Sequence, residues 1–277
     1  MTLPDRFRFS QASLQDYVDC RRRFELRYLD RLRWPALESE PALEHEAALQ
    51  RGMQFHRLVQ QHLAGVAPDL IEASLRDPDL LAWWRAYLDH PVPDLPETRR
   101  TEYRLSIPFA GRRLTATYDL LACEPGGRFV IVDWKTGAKP PRREWLADRL
   151  QTQVYPYVLV EGGAGLNGGE PVRPEQISLV YWFVNAPESP QIFEYTAADH
   201  AAAAEDLAAL VAEIAGLAPG EFPLTDDLNK CRYCVYRSLC DRGREPGAFY
   251  EFPGFEVPGL GDFDPDLDLD QVGEIEF

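Results

Sequence analysis

One predicted hairpin constrains this chain more than any other stretch of it. Leu114, Ala116, Tyr118 and Leu120 alternate with Thr115, Thr117 and Asp119, a period of two that predicts a strand. Phe129-Val-Ile-Val-Asp133-Trp134-Lys135 is an apolar run that ends in Asp-x-Lys, a second strand. Glu124-Pro-Gly-Gly between them is turn chemistry. A turn centred on Gly126 places Asp119, seven residues before it, opposite Asp133, seven residues after it. Such neighbours have Cβ atoms about 4.5–5.5 Å apart. Asp133 and Lys135 are two apart on one strand and share a face.

Facing carboxylates repel, and a divalent cation is the natural compensation. On that reading, removing either carboxylate leaves apo stability level or raises it slightly. The alternative is a solvated hairpin face on which Asp133 and Lys135 form a weak surface pair. The apolar run before Asp133 favours a strand that passes through a core.

The neighbouring segments supply further candidates. Leu43, Ala47, Met53, His56, Val59 and Leu63 have helical spacing and predict a helix over 42–64. His56 lies on its apolar stripe, as a packed histidine or as a metal ligand. Strands are predicted over 100–108, 112–122 and 128–135, a helix over 143–161, and a strand over 176–184. Gln151 and Tyr155 share one face of that helix, and Gln153 and Tyr157 repeat the spacing, so its register stays open. Pro156 is expected to bend or interrupt it. Residues 66–99 read as a helical insertion, with a helix from Leu75 to Leu88 and a proline-rich linker after it. Residues 161–175 read as a loop and 197–217 as a helix.

Five cysteines and no apolar leader point to reduced thiols and a cytoplasmic chain without a membrane span. Cys123 reads as a core thiol. Cys231-Arg-Tyr-Cys234 and Cys240 form a tight group that suits a soft metal, and Cys20 is the candidate fourth ligand.

Gly52-x-x-x-His56, Asp119, Asp133-x-Lys135-Thr-Gly and Gln151-x-x-x-Tyr155, in this order, resemble the PD-(D/E)XK nuclease superfamily and, within it, the RecB-like nucleases. The resemblance covers most of residues 8–240. It implies an α/β, restriction-endonuclease-like core of order α-β-β-β-α-β, with a central mixed sheet flanked by helices. It implies that His56, Asp119, Asp133 and the Trp134 carbonyl bind Mg2+ or Mn2+. Lys135 would orient or activate the attacking water, and Gln151 and Tyr155 would position the nucleic-acid backbone. The spacing of Cys20, Cys231, Cys234 and Cys240 resembles the iron–sulfur staple of AddB-type nucleases and of the CRISPR-associated exonuclease family. That favours [4Fe–4S], with zinc as the alternative. Arg21 stands where that family often has proline.

The net charge of −16 is carried largely by the C-terminal end. Residues 245–277 hold ten acidic residues and no Lys or Arg, which leaves −6 for residues 1–244. The expected organisation is therefore a nuclease domain over 1–244 closed by a four-cysteine cluster, then an acidic tail, either a disordered solubilising extension or a segment that docks a protein partner or inhibits by mimicking a phosphate backbone in the basic channel. Arg21–Arg23, Arg99–Arg100, Arg112–Arg113, Lys139 and Arg142–Arg143 are candidates for a local basic track.

The expected activity is hydrolysis of single-stranded or end-bearing DNA by a metal-dependent exonuclease, leaving a 5′-phosphate and a 3′-hydroxyl. A non-catalytic nucleic-acid-binding or assembly subunit is the alternative. CRISPR adaptation, recombinational repair and phage defence all remain open as settings.

Overall fold

The computed structural model describes residues 3–4, 6–32, 40–137, 139–218, 220–232 and 234–242. The acidic tail expected over 245–277 lies outside the described residues.

The chain opens with β1 (Arg8–Ser10), α1 (Gln11–Asp19) and α2 (Arg21–Phe24), which runs into a π-helical turn, Glu25–Leu29. Three helices follow, α3 (Glu40–Leu63), α4 (Pro68–Ser74) and α5 (Pro78–Asp89). Then come β2 (Thr98–Phe109), β3 (Arg112–Cys123), β4 (Phe129–Lys135), α6 (Arg143–Ala147), α7 (Leu150–Gly162), β5 (Ile177–Phe183), β6 (Gln191–Glu194) and α8 (Ala197–Gly216). This is the expected mixed α/β order, with β1, α1, α2 and β6 as elements the sequence reading did not include.

The six strands form one mixed sheet in which β3 has three partners. β2 pairs with it antiparallel from end to end, Thr98 with Cys123 and Phe109 with Arg112. That occupies one edge. The other edge is shared: β1 runs parallel to it at Arg113–Thr115, and β4 antiparallel at Leu120–Cys123. The β3–β4 register is the expected one, and its last pair is Leu120 with Val132. The ladder therefore ends one step before Asp119 and Asp133, where the two strands part. β4 continues parallel to β5, with Asp133 beside Tyr181 and Lys135 beside Phe183.

The sheet buries both faces. Leu114, Tyr118, Ile131 and Tyr181 meet α1, α7 and α8 through Leu14, Val158 and Leu207. Leu120, Val132 and Trp182 meet the α3–α5 insertion through Phe55, Val59 and Trp84. Sheets covered on both faces read as near-continuous apolar strands, which is why β4 and β5 show no alternation.

Three boundary expectations are corrected. The predicted helix 143–161 is two helices that part at Asp148–Arg149. The cause is tertiary: the Leu150 N–H that opens α7 donates to Gln15 Oε1 of α1, at 3.3 Å. Pro156 does not interrupt α7, which continues to Gly162. A proline removes one helical donor, and the burial of Val154, Tyr155, Tyr157, Val158 and Leu159 around it outweighs that loss. The helix expected from Leu75 begins at Pro78, because Asp77 caps it by accepting from the Asp79 and Leu80 N–H groups.

No helix among the described residues is long and apolar enough to cross a membrane.

Candidate active site

The fork where β4 leaves β3 creates the site. The Trp134 N–H has passed the end of the β3 ladder, and it donates to Asp119 Oδ2 at 3.0 Å. A side chain thus satisfies a backbone donor that a longer ladder would have paired. The same oxygen lies 3.3 Å from His56 Nδ1 of α3.

The approach of α3 depends on Gly52, one turn before His56. A Cβ built on Gly52 would lie 2.8 Å from Thr136 Oγ1, the residue after Lys135. Alanine in a helix interior gains up to about 1 kcal/mol over glycine, whereas overpacking costs about 1–3 kcal/mol. Gly52→Ala is therefore expected to destabilise the wild-type background and to stabilise a Thr136→Ala background. A double-mutant cycle on thermal or urea unfolding would read a coupling of roughly 1–3 kcal/mol. Additive effects would show that the close approach is not what fixes glycine there.

Lys135 and Asp133 form the second half of the site. Lys135 Nζ lies 2.9 Å from Asp133 Oδ2 and donates to Gln151 Oε1 at 2.7 Å. Gln151 Nε2 donates in turn to Asp133 Oδ1. The three side chains close a ring, with the ammonium 5.2 Å from the centroid of the Tyr181 ring below it. Thr152 and Tyr181 join hydroxyls at 2.8 Å and brace that ring.

Of the two registers left open on the helix, the structure brings Gln151 to the Asp-x-Lys pair. Tyr155 lies in the core, its ring 5.2 Å from that of Tyr118 and its carbonyl accepting from Tyr118 Oη. Gln151 itself is buried, so its amide meets Asp133 and Lys135 rather than solvent.

Glu102 is the site residue that sequence reading missed. It lies on β2, and one ligand atom each from His56, Glu102 and Asp119 come within 4.8 Å of one another. The signal was present. Ala110 and Gly111 both have positive φ, as a two-residue hairpin turn requires. Glu102 is as far before that turn as Asp119 is after it, so the counting that paired Asp119 with Asp133 also pairs Asp119 with Glu102. Glu102 itself has φ 48°, a left-handed strand residue. Such strain persists only where the surroundings impose it and concentrates at functional sites.

The electrostatics are those of a crowded anionic cleft. Desolvation, then repulsion from Asp119, pushes the Glu102 carboxyl up to about 7. Burial also raises Asp133, against the pull of Lys135. Burial would raise Asp119 too, but His56 and the Trp134 N–H more than reverse it. Burial lowers the His56 imidazole, and the Asp119 carboxylate overrides this and lifts it to about 9. The oxygens of Glu102 and Asp119 with the His56 imidazole, and Asp133 nearby, fit a hard divalent cation.

Four of the cysteines lie where the α1–α2 segment meets residues 222–240. Phe24 stacks on Phe222, the Arg22 N–H donates to the Pro223 carbonyl, and Tyr236 Oη donates to the Leu32 carbonyl. Cys20 stands between α1 and α2, and its thiol is close enough to raise those of Cys231, Cys234 and Cys240. Burial is the larger cause in all three. All four are free thiols. The donor set is soft and suits a thiolate-binding metal. Cys123 is buried in the core.

The profile of the PD-(D/E)XK nuclease superfamily matches residues 8–241. Among solved structures, a candidate exonuclease of Eubacterium rectale superposes with a TM-score of 0.53 at 12% identity, over 86% of this chain and 89% of that one. At that identity the likeness shows a shared fold. The protein SSO0001 superposes with a TM-score of 0.41 at 14% identity, over 86% and 87% of the two chains, too low to carry an argument. No curated protein matches this chain. The matched span contains the forked hairpin, its Asp-x-Lys strand, the Gly52–His56 helix and Gln151, and the chain belongs to the PD-(D/E)XK nuclease superfamily.

Proposed function

We propose that this protein is a metal-dependent deoxyribonuclease that hydrolyses phosphodiesters of single-stranded or end-bearing DNA as an exonuclease. The observation that carries the reading is the closed ring of Lys135, Asp133 and Gln151 beside the His56–Glu102–Asp119 group. His56, Asp119, Asp133 and the Trp134 carbonyl would hold Mg2+ or Mn2+, with Glu102 as a further oxygen donor. A bound divalent cation supplies Lewis acidity and lowers the pKa of water. The protein's own part is positioning and charge. Asp133 and Gln151 hold the Lys135 ammonium at one place. It can then stabilise the negative charge that grows on the phosphate as water attacks and the P–O bond to the leaving sugar breaks. Both ends of the Gln151 amide are engaged in that ring, so we assign it the positioning of Lys135. Tyr155 is buried against Tyr118, so we assign it a packing role rather than contact with the nucleic-acid backbone.

The likeness to a candidate exonuclease supports the exonuclease form. For the four cysteines, we propose a [4Fe–4S] cluster that ties the two ends of the domain. The gathering of Cys20 with Cys231, Cys234 and Cys240 supports it.

The test is cleavage of end-labelled single-stranded DNA with Mg2+ or Mn2+ and with chelator. Products that shorten from one end and carry 5′-phosphates are expected. Cleavage that persists in chelator would reject the metal-dependent reading. Absence of any cleavage by cluster-loaded protein would favour the non-catalytic alternative.

A further inference from the structure

A second polar concavity opens on the strand that carries Asp119. It is a cavity of about 390 Å³ beside β1, and Arg6, Arg8, Arg31 and Arg104 line it. Among the described residues no carboxylate lines it, in a chain of net charge −16. Thr115 and Thr117 form its floor. They alternate with Asp119 on β3 and so face the same side of the sheet as the metal-site carboxylate. Arg104 pairs with Thr117 across the ladder and stands two residues from Glu102. At about 3.4 Å per strand residue, the cavity lies roughly 7–14 Å from Asp119.

Several members of the basic track expected from sequence hold partners, as Arg8, Arg31 and Arg104 of the cavity also do. Arg21 pairs with Glu213, Arg22 with Glu25, and Arg23 with Asp16 and Asp19. Arg113 bonds Ser106, and Arg143 lies over the Phe193 ring. The four arginines of the cavity come instead from β1, its approach, β2, and the turn after the π-helical segment. Arg31 has φ 50°, the left-handed region, as Glu102 does at the metal site. A guanidinium carries five donors in a fixed fork, so it can serve a protein partner and a phosphate together.

The cavity also offers ring faces and edges. Phe7 and Tyr28 line it, half-buried, with centroids 6.0 Å apart and planes at 85°. Arginines interleaved with aromatics and hydroxyls are the chemistry of a single nucleic-acid strand, whose backbone meets the cations and whose unstacked bases meet the rings.

We propose that this arginine cavity binds the phosphodiester backbone of a single strand of DNA a few nucleotides away from the bond at the metal site. The proposal rests on the nuclease reading for its purpose, but its test does not depend on cleavage.

The experiment is binding of a fluorescent oligonucleotide of about 12 thymidines to the full chain in chelator, by anisotropy, over a range of salt. Arg8→Ala with Arg104→Ala is expected to weaken binding about tenfold or more. It should also flatten the plot of log affinity against log salt by about 1.4, since each single-strand phosphate contact contributes about 0.7. Arg8→Lys with Arg104→Lys should keep most of that slope. Arg85→Ala, an exposed α5 residue paired with Glu72, should bind as wild type does. If the alanine pair does not fold, the lysine pair compared with Arg8→Gln and Arg104→Gln gives the same reading.

An unchanged slope and affinity in the arginine pair would overturn the proposal. So would an equal loss in Arg85→Ala, a wild type that does not bind, or a duplex bound equally well with the same arginine dependence. Whether wild type cuts the same oligonucleotide when Mg2+ or Mn2+ is added is a separate measurement. It judges the nuclease reading alone.

Discussion

Replacing Asp133 by alanine should abolish DNA cleavage and also lower the stability of the metal-free protein. The kinetic part follows from the ring at the site. Asp133 receives both Lys135 and Gln151, so its loss would remove a proposed metal ligand and release the ammonium together. A fall of about a thousandfold or more, roughly 4 kcal/mol of transition-state stabilisation, is expected, and Lys135→Ala should match it. The stability part reverses what the sequence suggested. Two facing carboxylates alone would relax when one is removed. In the structure Asp133 is buried with Lys135 at 2.9 Å, and removing one partner leaves a buried charge uncompensated. We expect a loss of about 1–3 kcal/mol for Asp133→Ala, most of it recovered in Asp133→Ala with Lys135→Met. Cleavage assays and urea unfolding in chelator check the two halves independently. Wild-type cleavage by Asp133→Ala would sink the catalytic assignment, and equal destabilisation of the single and double variants would sink the ion pair.

Cys20→Ser should cost the cluster-loaded protein its brown colour and about 2–4 kcal/mol of stability. The colour follows from losing one of four thiolate ligands. The energy follows from chain topology, because the proposed cluster would join residue 20 to residues 231–240 and close the chain between them into one loop. The loss should stop short of unfolding. The ends keep contacts of their own, including Phe24 on Phe222, Lys230 at 3.5 Å from Asp19, and Tyr236 on the Leu32 carbonyl. Anaerobic purification, metal analysis and thermal unfolding are the measurements. Colourless wild type with one zinc per chain would refute the iron–sulfur assignment. An unaffected Cys20→Ser variant would place the fourth ligand elsewhere.

What the sequence determined by itself was local or could be counted. The β3–β4 hairpin is set by a turn of Pro and Gly between two apolar strands, and its register follows from the distance of each residue to that turn. Lys135 beside Asp133 follows from the period of a strand. The long runs of β4 and β5 already carried the signature of a sheet buried on both faces. The same counting, applied to the Ala110–Gly111 turn, would have brought in Glu102.

The tertiary structure decided the rest, because the remaining partners are not neighbours along the chain. The ladder ends at Leu120 because β1 claims the same edge of β3 further along, and only that fork turns Asp119 toward His56 and the Trp134 N–H. Gln151 rather than Gln153 meets the ring because of how α7 packs its buried face, Val154, Tyr155 and Val158, against the sheet. The arginines that gather in one cavity come from residues 6, 8, 31 and 104. Nothing in their sequence spacing marks them as a group, since a sheet joins residues by register and not by distance along the chain.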